Sequence, residues 1–129
     1  MAIEEKSVHQ AAGDQYITTY SATFAATGTR STVVNLDGRS PIRLSMPAGW
    51  AGTSAHVRVY LSEDGTTYKP LYDRYNVAYS VTAVASRTYI LPPSDMAGAT
   101  YIRLLGTTAL GTAAAQTTAG VVTIVARLA

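Results

Sequence analysis

The sequence predicts an all-β fold, an antiparallel β-sandwich or jelly roll of about eight or nine short strands. Three observations predict it. Short segments alternate apolar and polar side chains, the period of a strand with one buried face. Turn signals separate them roughly every ten residues, the spacing expected of a sandwich. No apolar stripe of 3.6-residue period is long enough for a true helix, which counts against an α/β fold.

The segment 55–62 shows the pattern best. Val57, Val59 and Leu61 point one way, and His56, Arg58 and Tyr60 the other. Asp64-Gly65 follows, a turn pair in which Gly accepts positive φ without a Cβ clash. Residues 67–73 are then the returning strand of a hairpin. Upstream, residues 16–24 alternate Tyr20, Ala22 and Phe24 against Thr19, Ser21 and Thr23, and Thr27-Gly28 marks a turn. Residues 30–36 are the next strand, with Val34 and Leu36 on one face, and Asp37-Gly38 is a second hairpin-type signal. Residues 41–46 place Ile42, Leu44 and Met46 together, with Pro41 suited to a strand's first residue or to an edge. Trp50, the only tryptophan, follows Gly49 in a loop and is expected to cap the open end of the core.

Downstream, residues 77–84 put Val77, Tyr79, Val81 and Ala83 on one face, and residues 87–91 form a short strand ending at Pro92-Pro93. A single helical turn is expected at 93–97, then a strand at 101–105. Residues 106–119 are Gly, Thr, Ala, Leu and one Gln, a long loop of the kind that is usually functional or mobile. The last strand, 121–128, alternates Val122, Ile124, Ala126 and Leu128 against Val121, Thr123, Val125 and Arg127. Residues 1–15 lack periodicity and read as an N-terminal arm before a single domain at 16–129. Two readings of the arm stand: a frayed end, or a segment that orders on a neighbouring subunit.

At 129 residues the chain is one domain, and folding removes roughly 65–70% of its unfolded surface from water. Charged residues are 14%, below the usual quarter or so. Either much of the surface is covered by a partner, or a small Thr-rich β domain needs few charges. The formal charge of +2 is too weak to argue for nucleic acid. Eight of the ten basic residues are Arg, whose fork suits interface carboxylates and hints at protein partners. With no Cys, disulfides and thiolate metal sites are excluded. There is no apolar run of membrane length and no signal peptide, so the expectation is a soluble chain, made in a cytoplasm and not exported by a cleaved signal.

Candidate chemistry is sparse. His9 and His56 are the only histidines, and no acid sits at a telling offset from either. There is no G-x-S-x-G, Walker A or G-x-G-x-x-G motif. Glu63-Asp64-Gly65-Thr66 matches a Ca²⁺ loop weakly, and turn chemistry accounts for it better. No residue is singled out as catalytic, cofactor-binding or metal-ligating, and the chain is expected not to be an enzyme. Tyrosine is the unusual feature, at nine against one Phe and one Trp. Seven of them, Tyr60 to Tyr101, follow one another from the central hairpin onward. They suit a subunit contact surface, or a sugar-stacking platform beside Asp73 and Arg74, or simply the β propensity of Tyr.

Three runs carry a resemblance: Val33-Val34-Asn35-Leu36-Asp37-Gly38, then Ile42 through Pro47-Ala48-Gly49-Trp50, then Val59-Tyr60-Leu61-Ser62-Glu63-Asp64-Gly65-Thr66-Thr67-Tyr68 through Leu71-Tyr72-Asp73. With 81–87, Tyr101-Ile102-Arg103-Leu104, Gln116 and 122–127, the chain over about 30–129 resembles small β-sandwich structural proteins of tailed bacteriophages and prophages. It departs from them at Leu105-Gly106-Thr107, where Ser-Gly-Thr is expected. The resemblance implies a virion protein with no catalytic residue and no cofactor, most simply a capsid decoration (cement) protein. Such a protein is made in the host cytoplasm and stabilises the head by binding the major capsid protein on its outer surface. The alternative is a tail, neck or fibre-base component, or a carbohydrate-binding module of a virion. A homo-oligomer, a trimer at local threefold positions, is expected on symmetry grounds, with a monomer at each hexamer centre as the alternative and with neither nucleic acid nor membrane as partner. The arm at 1–15 and the loop at 106–119 are expected to make the assembly contacts. Ordering about fifteen flexible residues costs on the order of 15–30 kcal/mol of backbone entropy, so the loop is expected to be held only in the assembly.

Overall fold

The computed structural model describes residues 17–51, 54–92, 96, 99–108 and 111–128. The arm at 1–15 lies outside them. So does the helical turn expected at 93–97, apart from the buried Met96. Among the described residues there are nine strands: β1 (Ile17–Phe24), β2 (Val34–Asn35), β3 (Arg39–Ser45), β4 (His56–Ser62), β5 (Lys69–Pro70), β6 (Ser80–Thr82), β7 (Thr88–Ile90), β8 (Tyr101–Thr107) and β9 (Gly120–Leu128). They form two antiparallel sheets. One runs β1-β9-β3-β7; the other runs β2-β8-β4-β5, with β6 sharing the outer edge of β4. The fold is an all-β antiparallel sandwich, as the alternation predicts.

The core lies between the sheets. From the four-stranded sheet it takes Ala22, Phe24, Leu44, Val122, Ile124 and Ala126. From the five-stranded sheet it takes Val34, Val57, Val59, Val81, Ile102 and Leu104. These are alternate residues of their strands, so each segment buries one face, and each large side chain contributes roughly 1.5–3 kcal/mol. Trp50 closes one end. It is 6% exposed, its ring meets Phe24 edge-on at a centroid distance of 5.0 Å, and its Nε1 donates to Ser54 O at 2.8 Å.

Several expectations are corrected. Asp37 and Gly38 both have positive φ (54° and 78°), and Arg39 N donates to Leu36 O at 2.9 Å, so the turn forms. It joins β2 to β3, however, and these lie in different sheets: it is a crossing between layers, not a hairpin. β3 begins at Arg39, and Pro41 lies inside it at a register shift. Pro41 is tolerated there because β7 pairs only with Arg43–Ser45, which leaves that stretch without a second neighbour. Residues 30–36 make only the short β2 and two isolated bridges, Phe24↔Ser31 and Arg30↔Leu105. In the segment 77–84 only Ser80–Thr82 is a strand. Val77 stands 59% exposed in a small hairpin, where the Tyr72↔Ala78 bridge and two bonds to Asp73 Oδ1, from Tyr75 N and Val77 N, turn the chain before it reaches the core.

The loop at 106–119 differs most. β8 runs on to Thr107, and the described part of the connection is tied within one chain. Ala114 N donates to Gly106 O, Gln116 N to Gly28 O and Thr27 N to Gln116 O. The buried Gln116 accepts from Ala51 N through Oε1 at 3.0 Å, and the buried Ser54 donates from Oγ to Ala114 O at 2.9 Å. Its ordering cost is met inside the protein, which removes the reason for expecting it to be held only in an assembly.

Candidate functional site

The register of β4 on β8 builds one outward face. Arg58 stands opposite Leu105, Tyr60 opposite Arg103, and Ser62 opposite Tyr101. Val57 and Val59, with Leu104 and Ile102, point the other way into the core. The Arg30↔Leu105 bridge adds a third basic residue. Arg30, Arg58 and Arg103 therefore come together with Tyr60, Tyr68 and Tyr101, and the outward positions of β4 and β8 carry no Asp or Glu.

Within this face Arg30, Tyr60, Tyr68, Arg103 and Leu105 line a hollow of about 80 Å³. Arg103 is anchored by its Nε, which donates to Ser31 O at 2.8 Å; Ser31 Oγ in turn accepts from Leu104 N. Tyr68 Oη is buried and finds no hydrogen-bond partner among the described residues. Burial pushes the Tyr68 phenol up from its ordinary value, while Arg103 pulls it partly back. The phenol keeps its proton and is a donor without an acceptor.

The turn at the end of β4 is a structural device. Asp64 Oδ1 accepts from Thr66 N (2.8 Å), Thr67 N (2.9 Å) and Ser62 Oγ (2.9 Å), and Gly65 takes φ of 83°. The two amides and the Ser62 hydroxyl hold the Asp64 carboxyl well below the usual carboxylate range. With three donors on one oxygen, turn chemistry is the better account of Glu63–Thr66. Next to it is an open groove of about 480 Å³, bordered by Glu63, Asp64, Lys69, Tyr72 and Thr100.

The sequence-singled residues separate in space. His56 lies near the end of the outward face, its Nδ1 3.4 Å from Ser80 Oγ; His9 is outside the described residues. No group of three His, Cys, Asp or Glu able to hold a metal occurs among the described residues. The tyrosines do not form one surface. Tyr79 and Tyr89 pack against the core, and Tyr89 Oη accepts from Val84 N. Tyr60, Tyr68 and Tyr101 belong to the outward face. Tyr72 and Tyr75 stand exposed on the hairpin at 71–79, where the Arg74 guanidinium lies 5.0 Å from the Tyr75 ring centroid. Asp73, beside which the sequence suggested a sugar-stacking platform, has its Oδ1 occupied by that hairpin's backbone. The grouping of Arg30 with Tyr68 and Arg103 was missed, because no local spacing connects three residues on separate segments.

No protein-family model matches the chain, and no curated protein matches it. Among solved structures, the crystal structure of Yersinia pseudotuberculosis-derived mitogen (YPM) aligns over 88% of this chain and 86% of that one, at 13% identity and a TM-score of 0.32. At that level the likeness carries nothing over to this chain.

Proposed function

We propose that this chain is a structural protein of a tailed-bacteriophage virion, a decoration protein that binds the outer surface of the head. The reading begins from the resemblance over residues 30–129, and the structure gives its quoted runs a common role. Asn35–Gly38 makes the crossing between sheets, with Asn35 Oδ1 accepting from Asp37 N; Trp50 closes the core; Ser62–Thr67 is the Asp64-centred turn. Such residues specify a scaffold, and a scaffold that presents a surface is what a decoration protein requires.

The observation that supports the reading most is the outward face of the five-stranded sheet. Arg58 and Tyr60 on β4 and Tyr101 and Arg103 on β8, whose outward positions carry no acid, with Arg30 and Tyr68 beside them, have the composition of a protein-binding interface. Half-buried tyrosine rings offer little free face for base stacking, so a protein partner suits this surface better than a nucleic acid. On this reading the chain acts by binding and not as an enzyme, and the major capsid protein is its partner. The test is mass spectrometry of purified particles from a host carrying the gene, followed by rebinding to particles that lack the protein. A fixed, high ratio to the major capsid protein is expected, with rebinding lost in the Arg58→Glu/Arg103→Glu double variant. Absence from particles would falsify the reading. A few copies per particle would instead favour the tail or fibre-base alternative, to which the groove beside Tyr72 and the exposed Tyr75 hairpin would offer a contact.

A further inference from the structure

We infer that the hollow between Arg30, Tyr60, Tyr68 and Arg103 is a carboxylate-binding site that receives an Asp or Glu side chain of the partner protein. The inference deepens the proposed function by naming the chemistry its partner must present. Three features converge on it. Two arginines border one small hollow, and neither has a carboxylate partner among the described residues. Arg103 is already oriented by its Nε bond to Ser31 O, so its terminal nitrogens are held in place before any ligand arrives. Tyr68 is one of the residues lining the same hollow, and its Oη is a buried hydroxyl with no acceptor among the described residues. Buried polar groups are nearly always hydrogen-bonded, so an orphaned one calls for an explanation. A carboxylate supplies what the set lacks: one oxygen to accept from Tyr68 Oη, and lone pairs for the arginine forks.

Size and surroundings favour a side-chain carboxylate over a nucleotide phosphate. About 80 Å³ admits a group of a few atoms, whereas whole small-molecule ligands fill cavities of roughly 300–1,000 Å³. Tyr101, which a nucleic acid would need as a stacking surface, instead packs its ring against Gly65: a Cβ added there would lie 3.3 Å from the ring.

The experiment is a titration of the ¹⁵N-labelled full chain, followed by NMR, with three probes: N-acetylglutamyl amide, its neutral N-acetylglutaminyl counterpart, and inorganic phosphate. The glutamyl probe should shift the Arg30 and Arg103 Nε–H signals and the Tyr68 amide saturably. The glutaminyl probe should not, and phosphate should bind more weakly. Tyr68→Phe removes one charge-assisted bond and should weaken the glutamyl probe about tenfold while leaving thermal stability unchanged or raised, since the lost hydroxyl has no partner to forfeit. Arg30→Gln, at an exposed position, should fold and lose the saturable response. The inference is overturned by an absent saturable shift, by an equal response to the glutaminyl probe, by phosphate binding more tightly, or by unchanged affinity in both variants. The titration uses no particles, so failure of the virion reading and failure of the carboxylate site are separately visible.

Discussion

Replacing Trp50 with Ala tests the packing of the sandwich at its closed end. The indole is 6% exposed and meets Phe24 edge-on at 5.0 Å. Its Nε1 also satisfies the carbonyl of Ser54, a residue that is fully buried. Truncating a buried Trp costs about 3–5 kcal/mol in lost transfer energy and residual cavity. The ring pair accounts for about 0.5–1.5 kcal/mol of such a loss. Leaving the Ser54 carbonyl without its donor costs about 1–3 kcal/mol where it cannot reach water, which places the expectation near the upper end of the range. Against a total stability of about 5–15 kcal/mol this is a large fraction. For a domain of this size each kcal/mol moves the melting temperature by roughly 3–5 °C, so W50A should melt about 15–25 °C below wild type. Trp50→Phe keeps most of the ring contact, loses only the hydrogen bond and part of the volume, and should fall between the two. Far-UV circular dichroism is the suitable probe, because fluorescence is lost with the only Trp. If W50A melts within a degree or two of wild type, the ring contributes little packing in the isolated chain and its role is a contact with something else.

Other expectations follow from particular contacts. Gly106→Ala places a Cβ 3.0 Å from Ser54 Oγ and 3.1 Å from Ala114 O; it should cost about 1–3 kcal/mol in urea unfolding, and an unchanged midpoint would show that the 111–116 segment is free to move aside. The lowered pKa of Asp64 means that the stability it adds is present above its ordinary value of 3.8 and is lost as pH falls through the lower folded value. An NMR carboxyl titration should therefore find Asp64 still ionised at pH 3.8, and Asp64→Asn should weaken the acid-induced loss of stability; titration at the ordinary value would refute the three-donor arrangement. Tyr75 is 72% exposed at the hairpin tip, so Tyr75→Ser should leave the unfolding free energy within about 0.5 kcal/mol of wild type, and a larger loss would mean that the ring packs on the isolated domain.

What the sequence by itself determined is the set of buried faces. Alternation in 56–62 and 121–128 places Val57, Val59, Val122, Ile124 and Ala126 inward, because a strand's side chains must alternate wherever they are placed. Turn chemistry was legible for the same reason: Asp64-Gly65 and Asp37-Gly38 adopt their backbone angles through interactions spanning a few residues. Which strands become neighbours is not local. Asp37-Gly38 turns the chain whether its strands pair or part, and burial of Val34 and Leu44 in opposite layers decided that they part. Strand ends were misjudged where alternation continues past the paired region, so Val77 keeps the pattern of an inward residue while its hairpin turns away. Gln116 stands alone in a run of small residues, and its role as a pin exists only once residues 27–28 and 50–51 have come to it. The same holds for the hollow. Arg30, Tyr68 and Arg103 are far apart in the chain, and only the Tyr60↔Arg103 register and the Arg30↔Leu105 bridge bring two arginines and a tyrosine with an unpartnered hydroxyl around one hollow.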